Sequence, residues 1–378
     1  MIATDLLQKS KGVYMKILFC GGGTGGHITP ALAIAEEFKK RYEKCDIAFV
    51  GRQNGNENKL ITNEGYTVYE IDVRGFSRKI SLENLKTVTS FLKAKRKAKE
   101  ILNNFNPDAV IGTGGYVSAP VICAAKKAKI PSFIHESNAS LGLTTKLVAK
   151  KCKLLMLGAN IKTKYKNAIY TGNPVSDKFS EISKSAAKEK LKIPKNSKLI
   201  ISVGGSLGAN KLNETIIDFI NNYVYSSNQL YHIHSCGKRY YNKIKNEYPS
   251  FCKGNGRIRI MPFVYDMPTY LSAADIVISR CGAMTLAEIS KTGRPVIMIP
   301  SPNVADNHQM KNALYFKSGG AGEILEENEL NTESLIEIIS NILGNDEKLQ
   351  QMSLSAKKLY ARDSKEKIVA LVVNLIKK

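Results

Sequence analysis

One pattern occurs twice in this chain and limits its fold more than any other feature. Lys16 to Cys20 (KILFC) is an apolar run that breaks into glycine at Gly21 to Gly26. Pro30 then opens ALAIAEEFKKR, which has helical periodicity, an early proline and basic residues at its end. Leu199 to Val203 (LIISV) likewise runs into GGSLGA at Gly204 to Ala209, and a helix is expected through about Val224. Further buried strands are expected at 45–50, 67–71, 108–111, 132–135 and 153–157 in the first half. The second half should add 230–235, 257–261, 275–279 and 295–299, again separated by helices; the longest helix lies around 82–104. Near-continuous apolar strands alternating with helices mean parallel sheets covered on both faces. The expected architecture is therefore α/β: two Rossmann-like doubly wound domains facing a cleft. The extents read as a loose extension at 1–14, a first domain at 15–175 and a second at 176–362. A C-terminal helix at 363–378 is expected to pack back on the first domain.

Composition fits an ordinary globular chain: 378 residues, 43% hydrophobic and 24% charged, neither fibrous nor disordered. Seven cysteines form no CxxC pair and no zinc spacing, which points to a reducing compartment. The longest uncharged stretch, Ala109 to Ala125, carries three glycines and Pro120 and is too short to span a bilayer. Nothing near the start reads as a signal peptide, and Met15-Lys16 reads as the functional start. Any membrane attachment is expected to be peripheral. Lysine and arginine exceed aspartate and glutamate by 56 to 33, a net charge of +23. Such a surface seeks polyanions: nucleic acid, an anionic membrane face or phosphate-bearing ligands.

A glycine turn between strand and helix aims backbone N–H groups at an anion. Gly21, Gly23 and Gly26 satisfy GxGxxG, but a dehydrogenase also needs an acidic residue at the end of the second strand. Val50-Gly51-Arg52 stands there instead. Arg52 suits a 2′-phosphate, so an NADP reading stays open, as does a tight turn with no ligand. Other polar loops follow expected strands: GTGGY at 112–116, His135 to Asn138, SRCGAMTLAEIS around Glu288, and Asp306 to Gln309. Such loops fall where open α/β sheets bind ligands. His135 and Glu136 also read as a satisfied strand end, and Glu288 as a solvated helix residue.

In order along the chain, GGGTGGHITPALAIA, GTGGYVSAP, HESN, TGNPVS, GGSLGA, SRCGAMTLAEI and DNHQMKNA resemble the MurG family. These are the UDP-N-acetylglucosamine transferases that add the second sugar to the lipid-linked peptidoglycan precursor. The resemblance runs from Met15 to about Ala313 and implies the glycosyltransferase-B fold. It implies transfer, with inversion, to the C4 hydroxyl of N-acetylmuramoyl-pentapeptide diphospho-undecaprenol, hence a part in cell-wall biogenesis. It further implies that Thr24, Gly25, Gly26 and Asn138 meet the donor's sugar side from the first domain. Ser206, Val264, Ala283, Met284, Thr285, Leu286, Ala287, Glu288 and Gln309 would meet the donor from the second. Glu288 would accept from the ribose diol, Val264 would meet uracil and Gln309 would read sugar hydroxyls. The family usually has arginine after TGNPV; this chain has Ser176, and Lys178 or Lys211 offers a replacement charge.

Metal-dependent sugar transferases usually show an Asp-x-Asp pair, which this chain lacks. No metal and no cofactor are therefore expected, UDP-N-acetylglucosamine being a substrate, and N–H groups would stabilise the leaving diphosphate. His27 is the candidate base, because an imidazole takes a hydroxyl proton near neutral pH; the other reading makes it only a hydrogen-bonding group. Glu136 is the second candidate. His232 and His234 alternate along an expected strand and read as structural. Lys93, Lys95, Arg96, Lys97 and Lys99 follow an apolar set, Leu82, Leu85, Val88, Phe91 and Leu92, at helical spacing. That combination suits the anionic cytoplasmic leaflet where a lipid-linked acceptor lies, or a solvated helix over core. Diacylglycerol glycolipid synthesis and UDP-N-acetylglucosamine epimerisation share the fold, but HESN, TGNPV and DNHQ favour the wall enzyme. A nucleic-acid-binding role rests on charge alone and lacks a recognition module, so no nucleic-acid partner is expected. Wall-synthesis proteins are conceivable partners that the sequence does not identify.

Overall fold

The computed structural model describes residues 14–55, 57–74, 83–205, 207–254 and 256–376. The expected extension before residue 14, Leu82 and Ser206 fall outside them. The chain divides into two units, one reaching Ser176 and resuming at Ala361, the other Asp177–Tyr360. The sequence reading put these joints at 175/176 and 362/363.

Among the described residues the first unit holds seven strands: β1 (Met15–Cys20), β2 (Cys45–Arg52), β3 (Thr67–Ile71), β4 (Ala109–Gly112), β5 (Ser132–Glu136), β6 (Leu154–Leu157) and β7 (Ala168–Tyr170). Their order is β3-β2-β1-β4-β5-β6-β7, and every adjacent pair is parallel. The described residues of the second unit hold six: β8 (Lys198–Val203), β9 (Leu230–Ser235), β10 (Ile258–Met261), β11 (Ile276–Ser279), β12 (Val296–Met298) and β13 (Gly322–Ile324). Their order is β10-β9-β8-β11-β12-β13, again parallel throughout. In both sheets the order reverses beside the first strand, between β1 and β4 and between β8 and β11. Such a reversal opens a crevice at the carboxyl ends of the two strands.

Alternate strand residues point to opposite faces, and here both faces are apolar. Leu18, Cys20, Val110 and Ile134 join one buried cluster with Ala98, Ile101 and Val121 from the helices Glu83–Phe105 and Gly115–Lys127. Ile17, Phe19, Phe49, Ile111 and Phe133 join another with Ile34 and Phe38. The C-terminal helix Ser364–Ile376 completes this second face, contributing Ile368, Val369, Val372 and Val373. Lys365, only 2% exposed, pairs with Glu36 at 3.0 Å, and Lys367 donates to the Tyr170 carbonyl at 2.6 Å. The second sheet divides its isoleucines in the same way, with Ile200, Ile260, Ile278 and Ile297 on one face and Ile201, Ile233 and Val277 on the other.

Strands β7 and β13 were not expected. Each has three residues and lies at a sheet edge. Partial exposure gives neither the apolar run nor the alternation that reveals a strand.

Candidate functional site

In the first unit, the turns after β1 and β4 interlock at the sheet reversal. Gly114 and Gly115 have φ of +105° and +72°, and a Cβ on Gly115 would lie 1.9 Å from the Gly22 carbonyl oxygen. Only glycine permits that approach. The Gly23 N–H donates to Glu57 Oε1 at 2.6 Å, and Thr113 Oγ1 donates to the His27 carbonyl at 2.6 Å. Thr24 and Gly26 are exposed, while Gly25 and His27 are half-buried. Gly25–His27 form a 3-10 turn leading into the helix Thr29–Arg41.

His27 lies against the Gly114 backbone, where a Cβ would be 2.8 Å from its ring. Its Nδ1 is 3.0 Å from the Gly22 carbonyl and 3.3 Å from Thr24 Oγ1. A carbonyl only accepts, so this contact assigns the proton to Nδ1 and the basic lone pair of the neutral ring to Nε2. Arg52 donates to the Tyr116 hydroxyl at 3.1 Å, and the Tyr116 ring would meet a Cβ on Gly23 at 3.0 Å. Arg52 thus packs beside the glycine turn through Tyr116.

Glu136 is differently employed. Its Oε1 accepts from the Asn138 backbone and side-chain nitrogens, both at 3.1 Å. Its Oε2 accepts from the Gly142 N–H at 2.9 Å and from Thr145 Oγ1 at 2.7 Å. A carboxylate that took a proton would weaken this set, so geometry assigns Glu136 to holding the HESN loop. Asn138, tied to that carboxylate, stands half-buried at the loop's end. His135 bonds to the Gly172 carbonyl at 3.1 Å, and Asn173 donates to the Ser137 carbonyl at 3.1 Å. HESN and TGN are thereby locked together. Burial lowers the pKa of His135 and keeps it neutral. Ser176 closes this unit.

At the reversal of the second sheet, Gly204 to Gly208 follow β8. Gly205 and Gly208 have φ of +85° and +77°, and a Cβ on Gly208 would lie 2.1 Å from the Cys236 carbonyl. Lys178 and Lys211 are both exposed, Lys211 in the first turn of the helix Asn210–Phe219. After β11, Gly282 precedes the helix Ala283–Thr292 and supplies no side-chain cap. The first N–H groups of that helix, at Ala283, Met284 and Thr285, therefore remain for an external acceptor. Met284, Leu286 and Ala287 turn into the core, while Ala283 and Thr285 are half-buried.

Glu288 stands about one turn deeper on this helix. Burial alone pushes its carboxyl up to about 8. Gln309 Oε1 accepts from the backbone nitrogens of Cys281 and Ser301 at 3.2 and 2.9 Å. Its carbonyl is thus spent on holding two loops, and only its NH₂ remains to donate to a sugar oxygen. Val264 is buried between Phe263 and Tyr265, and the Lys238 ammonium lies 5.9 Å from both rings.

Several positioning groups escaped sequence reasoning. Glu57 caps the first glycine turn, and Asn312 donates to the Cys281 carbonyl at 3.0 Å. Ser202 Oγ lies 2.7 Å from both His232 Nε2 and His234 Nδ1, and His234 Nε2 meets Asn213 Oδ1 at 3.0 Å. Burial pushes His234 down to about 4 and also holds His232 well below the usual imidazole value, so both are neutral and structural.

Two doubly wound parallel sheets, each with a glycine turn at its reversal, define the class: a two-unit α/β enzyme of the glycosyltransferase-B kind. Residues 17–156 match the glycosyltransferase family 28 N-terminal domain, and residues 199–368 match its C-terminal domain. A protein of Listeria monocytogenes is 38% identical over 366 residues, 96% of this chain and 100% of its own length. One from Ruminiclostridium cellulolyticum matches to the same extent. Both are named UDP-N-acetylglucosamine–N-acetylmuramyl-(pentapeptide) pyrophosphoryl-undecaprenol N-acetylglucosamine transferase. The crystal structure of Acinetobacter baumannii MurG superposes with a TM-score of 0.71 at 26% identity, covering 96% of this chain and 100% of that one. This chain belongs to glycosyltransferase family 28, in its MurG branch. A UDP-GlcNAc 2-epimerase from Neisseria meningitidis shares the fold alone, at 16% identity, a TM-score of 0.65, and 95% and 100% coverage of the two chains.

The carboxyl of the half-buried Glu288, raised by desolvation, has a consequence for stability. The folded chain holds a proton that an unfolded glutamate, with a pKa near 4.3, releases. Its contribution is full below that value and is lost as pH rises towards 8. Glu288→Gln should therefore gain melting temperature relative to the parent between pH 5 and pH 8.5. Melting curves with the same difference at both pH values would show that Glu288 ionises normally.

Proposed function

We propose that the chain is an inverting hexosyltransferase. It moves N-acetylglucosamine from UDP-N-acetylglucosamine to the C4 hydroxyl of undecaprenyl-diphospho-N-acetylmuramoyl-pentapeptide. The observation that carries this reading is the sheet reversal in the second unit. There the uncapped N-terminus of the helix Ala283–Thr292 stands one turn from the carboxyl of Glu288. Diphosphate oxygens suit the helix N–H groups, and the ribose diol supplies the donors that let the Glu288 carboxyl give up its proton and accept from both hydroxyls. Val264 offers its backbone to uracil, and the Gln309 NH₂ donates to the transferred sugar. Ser206 and the glycine turn add donors for the phosphates, with Lys211 replacing the charge that Ser176 lacks.

His27 is the base of this reaction. The acceptor O4 attacks the anomeric carbon, its proton passes to His27 Nε2, and the bond to the diphosphate breaks with its electron pair leaving on UDP. Thr24, Gly25, Gly26 and Asn138 hold the sugar side of the donor. His27→Ala should lower kcat by about 10²–10⁴-fold, the usual range for a general base, with UDP affinity nearly unchanged. A folded variant with near-normal saturated turnover removes His27 from the chemistry.

Charge on the departing UDP is stabilised by N–H groups, and the transfer step uses no divalent metal. The missing Asp-x-Asp pair motivates this reading. Turnover should survive excess EDTA; complete loss restored by added magnesium would contradict it.

A lipid-linked acceptor places the enzyme at the cytoplasmic face of the membrane. No helix among the described residues is long and apolar enough to cross a bilayer. Leu143 and Leu147 are 63% and 43% exposed beside Lys146 and Lys150, and Leu92 is 58% exposed beside Lys93 and Arg96. Apolar tips among cations suit an anionic interface. Replacing Leu143 and Leu147 by serine should weaken sedimentation with phosphatidylglycerol vesicles several-fold while leaving UDP binding intact. Unchanged sedimentation would move the membrane contact elsewhere.

A further inference from the structure

The second unit contains a cationic hollow at the end of its sheet opposite the donor site. Lys198 is the first residue of β8, and Asp275 immediately precedes β11. The glycine turn and Glu288 belong to the other ends of these strands. Six residues of β8 span about 20 Å, so the two places are separate. Lys184, Ser185, Lys195, Asn196, Lys198 and Asp275 are among the residues lining the hollow, which has a volume of about 540 Å³.

Charge in this hollow is unbalanced. Asp275, 5% exposed, bonds to Lys184 through one oxygen and to Lys188 through the other. The Lys188 ammonium is buried and also donates to the Ser197 and Lys195 carbonyls, so its three hydrogens are spent. It forms a fixed floor. Arg294 lies within electrostatic reach of both Asp275 and Lys184, and its Nε is buried with no hydrogen-bond partner. Burial lowers the pKa of Lys184, and repulsion from Arg294 and Lys188 adds to that effect against the attraction of Asp275. Lys198 pairs with the exposed Asp346 at 3.0 Å. One buried carboxylate thus serves two ammonium groups and an adjacent guanidinium, with Lys195 and Lys198 adding charge at the rim.

We propose that this hollow is a second binding site, specific for a phosphate-bearing anion, with Lys184, Lys195 and Lys198 as its ligands. Each ammonium has three donors. Lys184 and Lys198 each spend one on a carboxylate, leaving several to converge on a tetrahedral group beside the Ser185 hydroxyl and the Asn196 amide. The chemistry is that of a phosphate or diphosphate group, whether free in solution or carried by a phospholipid.

The test uses the full chain saturated with UDP, so that the donor site is occupied. Inorganic pyrophosphate should raise the melting temperature saturably. The double variant Lys195→Ala/Lys198→Ala keeps both Asp275 pairs and should retain UDP affinity. It should lose pyrophosphate affinity by about tenfold or more, as expected for lost hydrogen bonds between charged groups. In the second arm, vesicles of phosphatidylglycerol replace pyrophosphate. A shift with vesicles alone, abolished in the double variant, assigns the site to a lipid headgroup; a shift with pyrophosphate assigns it to a soluble anion. No saturable shift with either probe, or a shift that the double variant preserves, overturns the proposal.

Discussion

Close approach of backbone to backbone at the glycine turns is the constraint on which both units depend. A helix N-terminus offers N–H groups to a ligand only if nothing stands in front of them, and a side chain there would stand in the way. Between Gly22 and Gly115 the two loops of the first reversal leave no room for a methyl group. Gly208 and Gly237 meet as tightly in the second unit, where a Cβ on Gly237 would be 2.4 Å from the Gly208 nitrogen. These contacts fix the loops before any ligand arrives, so a bound anion need not meet the entropic cost of ordering them. They also explain why glycine recurs at the carboxyl edges of both sheets.

Strands buried on both faces were legible because they read as unbroken apolar runs, as in KILFC and LIISV. The glycine turns were legible because nothing else in a chain tolerates so many positive φ values. Helix Glu83–Phe105 was legible from its periodicity to within a residue at each described end. Strands β7 and β13 were hidden by their length and edge position. The partners of each polar residue were hidden for another reason: they lie far away in sequence. Glu57 caps Gly23 from 34 residues away, and Asn312 reaches Cys281 across 31. Sequence spacing carries no trace of such pairs. It named Glu136 and Gln309 as site residues, but it had no means of counting the hydrogen bonds that already engage their oxygens.

Those counts divide the polar residues by task. Glu136 is satisfied four times and Gln309 Oε1 twice, so each supports loops that other groups use. Glu288 differs in kind, since desolvation is the only influence on its carboxyl and no cation offsets it. Desolvating a carboxylate without a partner costs stability. A fold tolerates that where a ligand later supplies the missing donors, and it is the pattern expected of a binding group rather than a scaffold group.

The histidine ladder beneath the second glycine turn shows how such a loop is held from below. Asn213 donates to the Cys236 carbonyl at 3.0 Å, the same carbonyl against which Gly208 is seated. With Asn213 Oδ1 accepting, His234 Nε2 must donate, which leaves His234 Nδ1 to accept from Ser202. The Ser202 oxygen then accepts from His232 Nε2, and the lone pair of His232 Nδ1 ends the series buried and unpaired. Every proton position follows from the first bond. Protonation of His234 at Nδ1 would reverse the Ser202 bond, and protonation of either ring would place a charge in this buried layer beside Phe219, which is why burial keeps both rings neutral. A neutral, directional series of side chains thus fixes the height of the carbonyl on which the glycine turn rests.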